Sequence, residues 1–190
     1  TIYRTSGDTP IIPALMRAAE KGKAVVWLVE LQARFDAQRN IQWARELERV
    51  GVHVVYGQAG RKTHAKLALV VRREGRRMRR YAHIGTGNYH PRTARLYTDF
   101  GLFTCRDDIT EEVHDLFNYL TGFSRIPRYR KLLVAPEGMR DSLVAQIDAV
   151  TAAHARGTAG AIVLKMNAII DAVIIQALFR ASRAGVPIDL

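Results

Sequence analysis

The chain has 190 residues, 48% of them hydrophobic, and 29 Lys and Arg against 18 Asp and Glu give it a net charge of +11. This composition is sufficient for a buried core in one domain or slightly more. No apolar run reaches the roughly 18 to 20 residues of a membrane span, which excludes a transmembrane helix. The positive charge predicts an anionic partner, and it does not distinguish nucleic acid from an anionic membrane or another polyanion.

The start of the chain carries neither a Met nor a signal peptide, and its first residues are typical of the middle of a strand. We therefore expect a piece of a longer protein. The same features favour a cytoplasmic location, with peripheral contact at the inner face of the membrane left open.

The first part of the chain alternates between strand and helix patterns. Thr9 and Pro10 are typical of an N-cap and a first helical residue, and Gly22 is typical of the end of that helix. Asp36 or Asn40 is predicted to cap the second helix. Strands are predicted at 1–3, 25–31 and 52–56. This alternation predicts a parallel sheet with right-handed crossovers.

Arginines follow the first two predicted strands, since Arg4 and Arg34 each fall just past a strand end. In open α/β sheets, ligands gather outside the carboxyl ends of the strands. One interpretation is a solvated arginine, or one paired with a carboxylate such as Asp8 or Asp36. The other is a pair of guanidinium forks that bind a phosphate chain.

The segment Lys62-Thr63-His64-Ala65-Lys66 runs directly into an apolar strand. In an extended strand Lys62, His64 and Lys66 share one face. Two nearby cations disfavour imidazolium, so we expect a neutral, nucleophilic His64 beside lysines that attract a polyanion. This combination suits phosphoryl transfer through a phosphohistidine. The alternative is an ordinary surface histidine in a basic strand.

Gly85-Thr86-Gly87-Asn88 follows a hairpin predicted at 67–73 and 77–84. Its glycines let the backbone turn N–H groups toward an anion, and Asn88 adds a side-chain donor. His83 and His90 flank the turn without metal-ligand spacing to His64, and we interpret both as structural. The arginine-rich hairpin tip is interpreted mainly as a solvated end.

The last third of the chain begins a second unit that echoes the first. Asp108 and Glu111 have capping-box spacing at the start of a helix that ends at Gly122. A strand at 132–135, a helix at 139–155, a strand at 162–165 and a helix capped by Asn167 are then predicted. The predicted division is a first domain at 1–123, a linker with an entry strand at 124–136, and the start of a similar second domain at 137–190.

These motifs together resemble a known family. His64-x-Lys66 followed by Gly-Thr-Gly-Asn is similar to the half-site of the phospholipase D superfamily. The longer strings at 29–36, 62–66, 81–89 and 93–99 resemble the bacterial polyphosphate kinases of the first family. The resemblance runs from Thr1 to Leu190. It implies a phospholipase D-like α/β fold, a mixed sheet flanked by helices, followed by the beginning of a second similar domain.

The resemblance also implies an activity, which is the reversible transfer of the terminal phosphate of ATP to inorganic polyphosphate. His64 would be the phosphorylated nucleophile and Lys66 a second catalytic residue. Mg²⁺ is the implied cofactor, held by Arg4 and Arg34 indirectly through phosphates. The implied full-length enzyme is a homo-oligomer without a specific nucleic-acid partner, and this piece alone is expected to be inactive. Phosphate- or nucleotide-binding roles fall on Arg4, Arg34, Lys62, Asn88 and Tyr97.

Two other functions are compatible with part of this sequence pattern. A phospholipase D-type phosphodiesterase or nuclease would use the same histidine without ATP or a metal. The fuller motif of that family places an Asp beyond the Lys, and residues 67–73 contain no acid. A basic, noncatalytic nucleic-acid-binding domain would leave the arrangement around His64 unexplained.

Overall fold

The computed structural model describes residues 9–30, 37–57, 60–122 and 128–190. Contacts divide the chain into two units, Thr1–Lys131 and Leu132–Leu190. The domain boundaries predicted at 123 and 136 stay a prediction. The strand predicted at 1–3 lies outside the described residues. Within the described residues, every helix is too short or too polar to cross a membrane.

The first unit begins with a parallel strand pair and two helices, as the sequence predicts. The elements are α1 (Ile11–Glu20), β1 (Val26–Val29), α2 (Ala37–Arg49) and β2 (His53–Tyr56), and β1 pairs with β2 in parallel. Trp27 and Val29 of β1 pack into one buried cluster with residues from both helices. Leu28, between them in sequence, is also buried. Both faces of β1 are therefore covered, which explains its continuous apolar sequence.

The ends of these helices agree only in part with the prediction. The N-cap of α1 is Pro10, one residue later than the predicted Thr9, although the Thr9 hydroxyl accepts a hydrogen bond from the Ile11 N–H at 3.5 Å. As predicted, α1 is followed by Gly22, with φ 72°. Asn40 lies inside α2, so it is not the cap of that helix. Asp36, the other candidate, lies outside the described residues.

The second sheet of this unit is antiparallel and has the order β3-β4-β5. Its strands are β3 (Lys66–Glu74), β4 (Arg77–Gly85) and β5 (Gly101–Thr104), and the short helix α3 (Pro91–Ala94) precedes β5. The predicted hairpin is confirmed. Helix α4 (Asp107–Leu120) packs against β3 and β4. On the face toward α4, Leu67 and Ala82 are buried and Arg80 pairs with Glu111 at 3.7 Å.

Helix α4 does not begin with the predicted capping box. Its N-cap residue is Arg106, and the Asp108 carboxylate accepts two hydrogen bonds from the Arg106 guanidinium, at 2.7 and 3.1 Å. This arginine holds the pKa of Asp108 below its usual value. Asp107 and Asp108 instead support the helix from its first turn, where negative charge is favourable.

The second unit contains α5 (Met139–Ala155), β6 (Ile162–Val163), α6 (Ala172–Arg183) and β7 (Ile188–Asp189), with β6 and β7 parallel. Its apolar cluster joins Ile147 of α5 to Ala177 and Leu178 of α6. Helix α5 is confirmed at its predicted position. Asn167 does not cap α6, because Asp171 accepts hydrogen bonds from the Val173 and Ile174 N–H groups.

No strand forms at the predicted position 132–135, which consists of turn and irregular backbone. The chain enters this segment with its amides already bonded, because the Arg130 and Lys131 N–H groups donate to the buried Glu112 carboxylate at 2.7 and 2.9 Å. A turn then leads to Gly138, with φ 88°, at the start of α5.

Candidate functional site

Lys66 and His64 form a close pair at the start of β3. The Lys66 Nζ donates to the His64 carbonyl oxygen at 2.7 Å and lies 3.0 Å from Nδ1 and 2.9 Å from Nε2 of the same residue. The Lys66 side chain is only 4% exposed, whereas His64 is exposed. A buried ammonium is stable only when it is paired or hydrogen-bonded. Lys66 therefore holds both the backbone and the ring of His64.

This geometry has a direct chemical consequence. An ammonium carries only donors, and a neutral imidazole offers one acceptor nitrogen. The pair can be joined by a hydrogen bond only while the imidazole of His64 is neutral. The same unprotonated nitrogen is the nucleophilic one, so it can attack only when the ammonium of Lys66 turns from the ring toward an arriving anionic group.

The strand register brings the glycine turn to the same end of the hairpin. Lys66 lies opposite Gly85, which lies opposite Gly101 on β5. Directly opposed residues point to the same face, so the side chain of Lys66 shares a row with two glycines. His83 occupies the neighbouring position on this face. A Cβ at Gly85 would lie 2.9 Å from the His83 Cε1, and one at Gly101 would lie 2.7 Å from the His83 Nε2.

His83 therefore occupies the space that the two glycines leave open. Its Nδ1 forms a hydrogen bond with the Tyr89 hydroxyl at 2.6 Å, and its ring packs on Phe103 with 4.4 Å between centroids. Burial lowers the pKa of His83 and raises the pKa of Tyr89 to about 12. Both shifts favour a neutral imidazole and a protonated phenol. Tyr89 also packs against the α1–β1–α2 core, so it links that core to the turn.

From the sequence alone we predicted a structural role for His83, but not which residues its side chain contacts. The structure places it on the face of Lys66, over the paired glycines. The missing signal was the register between β4 and β5, because two glycines distant in sequence become informative only when they are known to be neighbours.

The glycine turn itself is tied to the start of β5. The Thr86 N–H donates to the Phe100 carbonyl and the Phe100 N–H donates to the Thr86 Oγ1, both at 2.9 Å. The Asp99 carboxylate occupies the space beside Gly87 that a Cβ would need. Neither Gly85 nor Gly87 has a positive φ. These glycines are thus required for space, and the Thr86 N–H serves the sheet instead of pointing at an anion as predicted.

Asn88, in the same turn, has a side chain with an unsatisfied hydrogen-bond acceptor. Its Oδ1 is buried and, in the described part of the chain, accepts no hydrogen bond. A buried acceptor without a hydrogen bond lowers the free energy of unfolding by about 1–3 kcal/mol. His90, by contrast, has a structural role: its Nδ1 accepts from the Thr93 N–H at 3.3 Å and caps α3.

The other predicted site residues are not all brought together by the structure. Lys62 is exposed on the segment before His64. Tyr97, which follows α3, is 66% exposed. Arg4 and Arg34 lie outside the described residues. Within the described ranges, no group of three His, Cys, Asp or Glu residues could hold a metal ion.

Comparison with known families identifies the chain. Residues 1–126 match the family model for polyphosphate kinase C-terminal domain 1, and residues 132–190 match the model for C-terminal domain 2. The chain belongs to the polyphosphate kinase family. It is 59% identical to a polyphosphate kinase of Synechocystis sp. and 60% identical to one of Mycolicibacterium gilvum, each over all 190 residues. The chain spans 26% of the length of each of these relatives.

A solved structure supports the same assignment. The crystal structure of polyphosphate kinase from Porphyromonas gingivalis aligns with a TM-score of 0.86 and 40% identity, over 100% of this chain and 32% of that one. The predicted fold class, an α/β fold of the phospholipase D-like type, is thereby confirmed for this chain.

Proposed function

We propose that this chain carries the phosphoryl-accepting half of a polyphosphate kinase site, in which His64 is the nucleophile. The observation that carries the proposal is the contact of the Lys66 ammonium with both ring nitrogens and the carbonyl oxygen of His64. Membership of the polyphosphate kinase family supplies the reaction, a reversible transfer between ATP and inorganic polyphosphate.

The proposed step is an in-line displacement at the terminal phosphorus of ATP. A ring nitrogen of His64 forms a bond to phosphorus while the bond to the bridging oxygen breaks, and ADP leaves with that oxygen. The phosphohistidine then transfers its phosphoryl group to the terminal oxygen of a polyphosphate chain, or back to ADP. During the attack the Lys66 ammonium turns from the ring to the equatorial oxygens and partly neutralises them, while its bond to the His64 carbonyl oxygen keeps it beside the imidazole.

The remaining residues are assigned to binding. Arg4, Arg34 and Lys62 would hold phosphates, and Asn88 and Tyr97 would contact the nucleotide. Mg²⁺ is expected on the phosphates, where it would neutralise charge. Arginine is not a metal ligand, and the residues within the described ranges offer no carboxylate or histidine cluster for a protein-only site.

The proposal also concerns the full-length enzyme and the behaviour of this chain on its own. The full-length protein would be a homo-oligomer with ATP, ADP and polyphosphate as partners and without a specific nucleic-acid ligand. The use of ATP favours the cytoplasm. No second His-x-Lys motif occurs in residues 124–190, so this chain alone is expected to bind polyphosphate without sustained turnover. Continued ATP consumption by the purified chain, lost in His64→Ala, would contradict that expectation.

The decisive experiment uses the full-length enzyme and ATP labelled at its terminal phosphate. Acid-labile label should map to His64, disappear in His64→Ala and persist in His53→Ala, a control at another exposed histidine. Polyphosphate should discharge the label, and a phosphodiester substrate should not. Label that maps to another residue, or cleavage of the phosphodiester without ATP, would overturn the proposal.

A further inference from the structure

Glu30 is a buried carboxylate with a direct bond to the segment that carries His64. It follows β1 and is 3% exposed, and its Oε2 accepts a hydrogen bond from the Thr63 N–H at 2.7 Å. Thr63 immediately precedes His64. Nothing in the sequence pattern gave Glu30 a role, because the contact joins residues from separate elements.

The bond acts on a part of the backbone that no strand ladder fixes. Residues 61–65 have no regular secondary structure, and β3 begins only at Lys66. The Thr63 N–H bonds to Glu30, and the His64 carbonyl accepts from the Lys66 Nζ at 2.7 Å. Because peptide groups are planar, these two bonds fix the peptide group on each side of the Thr63–His64 pair. Glu30 supplies the upstream anchor and Lys66 the downstream one.

Gly57 shows how closely the carboxylate is confined. A Cβ at Gly57 would lie 3.3 Å from the Glu30 Oε2 and 3.6 Å from the Thr63 Oγ1. The Gly57 N–H donates to the Val29 carbonyl at 3.1 Å, which fixes the backbone of residue 57 beside Glu30. Gly57 does not have a positive φ. An alanine would therefore keep the backbone conformation and press directly on the carboxylate.

We propose that Glu30 is a positioning residue for the phosphorylation of His64. It holds Thr63 so that the His64 imidazole stays against the Lys66 ammonium. A carboxylate suits this role because charge-assisted hydrogen bonds are shorter and stronger than neutral ones. This inference rests on the proposed function, since it assigns Glu30 an effect on that same step.

The test uses the full-length enzyme and measures single-turnover labelling of His64 at several ATP concentrations. Glu30→Ala removes the acceptor and should lower the labelling rate at saturating ATP by roughly ten- to a hundredfold. The ATP concentration that gives half the maximal rate should change by less than about twofold, because ATP binding is not the affected step. Glu30→Gln keeps an acceptor oxygen in a similar shape and should restore most of the rate. Gly57→Ala should give an intermediate loss.

The possible outcomes distinguish a failure of the role proposed for Glu30 from a failure of the proposed function. Normal labelling of Glu30→Ala, a change confined to the ATP requirement, or a Glu30→Gln rate as low as that of Glu30→Ala would overturn the role of Glu30. If Glu30→Ala does not fold, Gly57→Ala decides, and a wild-type rate in that variant overturns the inference. Failure of the wild-type enzyme to form phosphohistidine at residue 64 would instead overturn the proposed function.

Discussion

Lys66 lies directly opposite Gly85, so the residue that contacts His64 and the residue that opens the Gly-Thr-Gly-Asn turn meet across one hairpin. Gly101 continues the same row on β5. Because neither glycine has a side chain, the imidazole of His83 lies over this row, on the face from which Lys66 projects. The two sequence motifs are thus parts of one surface, and substitutions on it should affect neighbouring groups.

Lys66 should be essential for the phosphorylation of His64. Lys66→Met keeps the aliphatic stem of the side chain but removes the ammonium group. The contacts of that group with the ring and the carbonyl oxygen of His64 are then lost. Removal of one preorganised donor typically lowers a rate about 10²- to 10³-fold. We expect a loss of this size in single-turnover labelling of the full-length enzyme, and none in the control Lys23→Met, at an exposed lysine. Labelling of Lys66→Met at the wild-type rate would contradict the role of this contact.

Gly101 should tolerate a methyl group only when His83 is absent. In Gly101→Ala the new Cβ would lie 2.7 Å from the His83 Nε2, so the ring must move away from Tyr89 or Phe103. Overpacking of this kind typically costs about 1–3 kcal/mol in the free energy of unfolding. A double-mutant cycle with His83→Ala, measured by denaturant unfolding of the 190-residue chain, should recover most of that loss. Additive effects in the cycle would show that the clash is relieved elsewhere.

The free energy of unfolding should fall on mild acidification because of His83. Burial lowers the pKa of this imidazole in the folded state below its usual value of 6.5, so the unfolded state binds the proton more readily. The stabilising effect of the neutral ring is present above the unfolded pKa and is lost as the pH falls toward the folded one. His83→Gln should flatten the pH profile in this window and leave its slope unchanged above about pH 7.5. Equal slopes in both proteins below pH 6.5 would refute the assignment.

Arg34 should act through its shape as well as its charge. Arg34→Lys keeps the charge and loses the bidentate fork, so we expect a clear loss of turnover in the full-length enzyme, about tenfold or more. Arg4→Lys should behave in the same way, and an exposed arginine at the hairpin tip, Arg76→Lys, provides the control. Wild-type kinetics in both site variants would leave the proposed phosphate-binding role without support.

Local sequence patterns predicted those helices and strands whose residues carry a clear signal within the segment itself. The β3–β4 hairpin was predicted correctly because alternation and turn residues agree along it. The prediction that Lys62, His64 and Lys66 share one face of a strand was wrong in its premise, because β3 begins only at Lys66; the contact between Lys66 and His64 arises from irregular backbone before the strand.

Some errors concern the exact position of a helix cap, and others concern contacts between distant parts of the chain. The buried carboxylate of Glu112 takes up the backbone N–H groups just before residues 132–135, and no strand forms there. Asp171, rather than Asn167, bonds to the first amides of α6. Glu30 and His83 were missed for a related reason, since their importance depends on contacts between elements and on strand register.

The register of the β3–β4 hairpin also limits how this protein can vary in length during evolution. Insertion of one residue into either strand between the tip and the Lys66–Gly85 pair would move every following side chain to the opposite face. Lys66 and His83 would then no longer share a surface. Insertions that lengthen both strands by the same number of residues would preserve the pairing. Length differences among homologues should therefore occur as matched additions near Glu74 and Arg77, or in the turn between them.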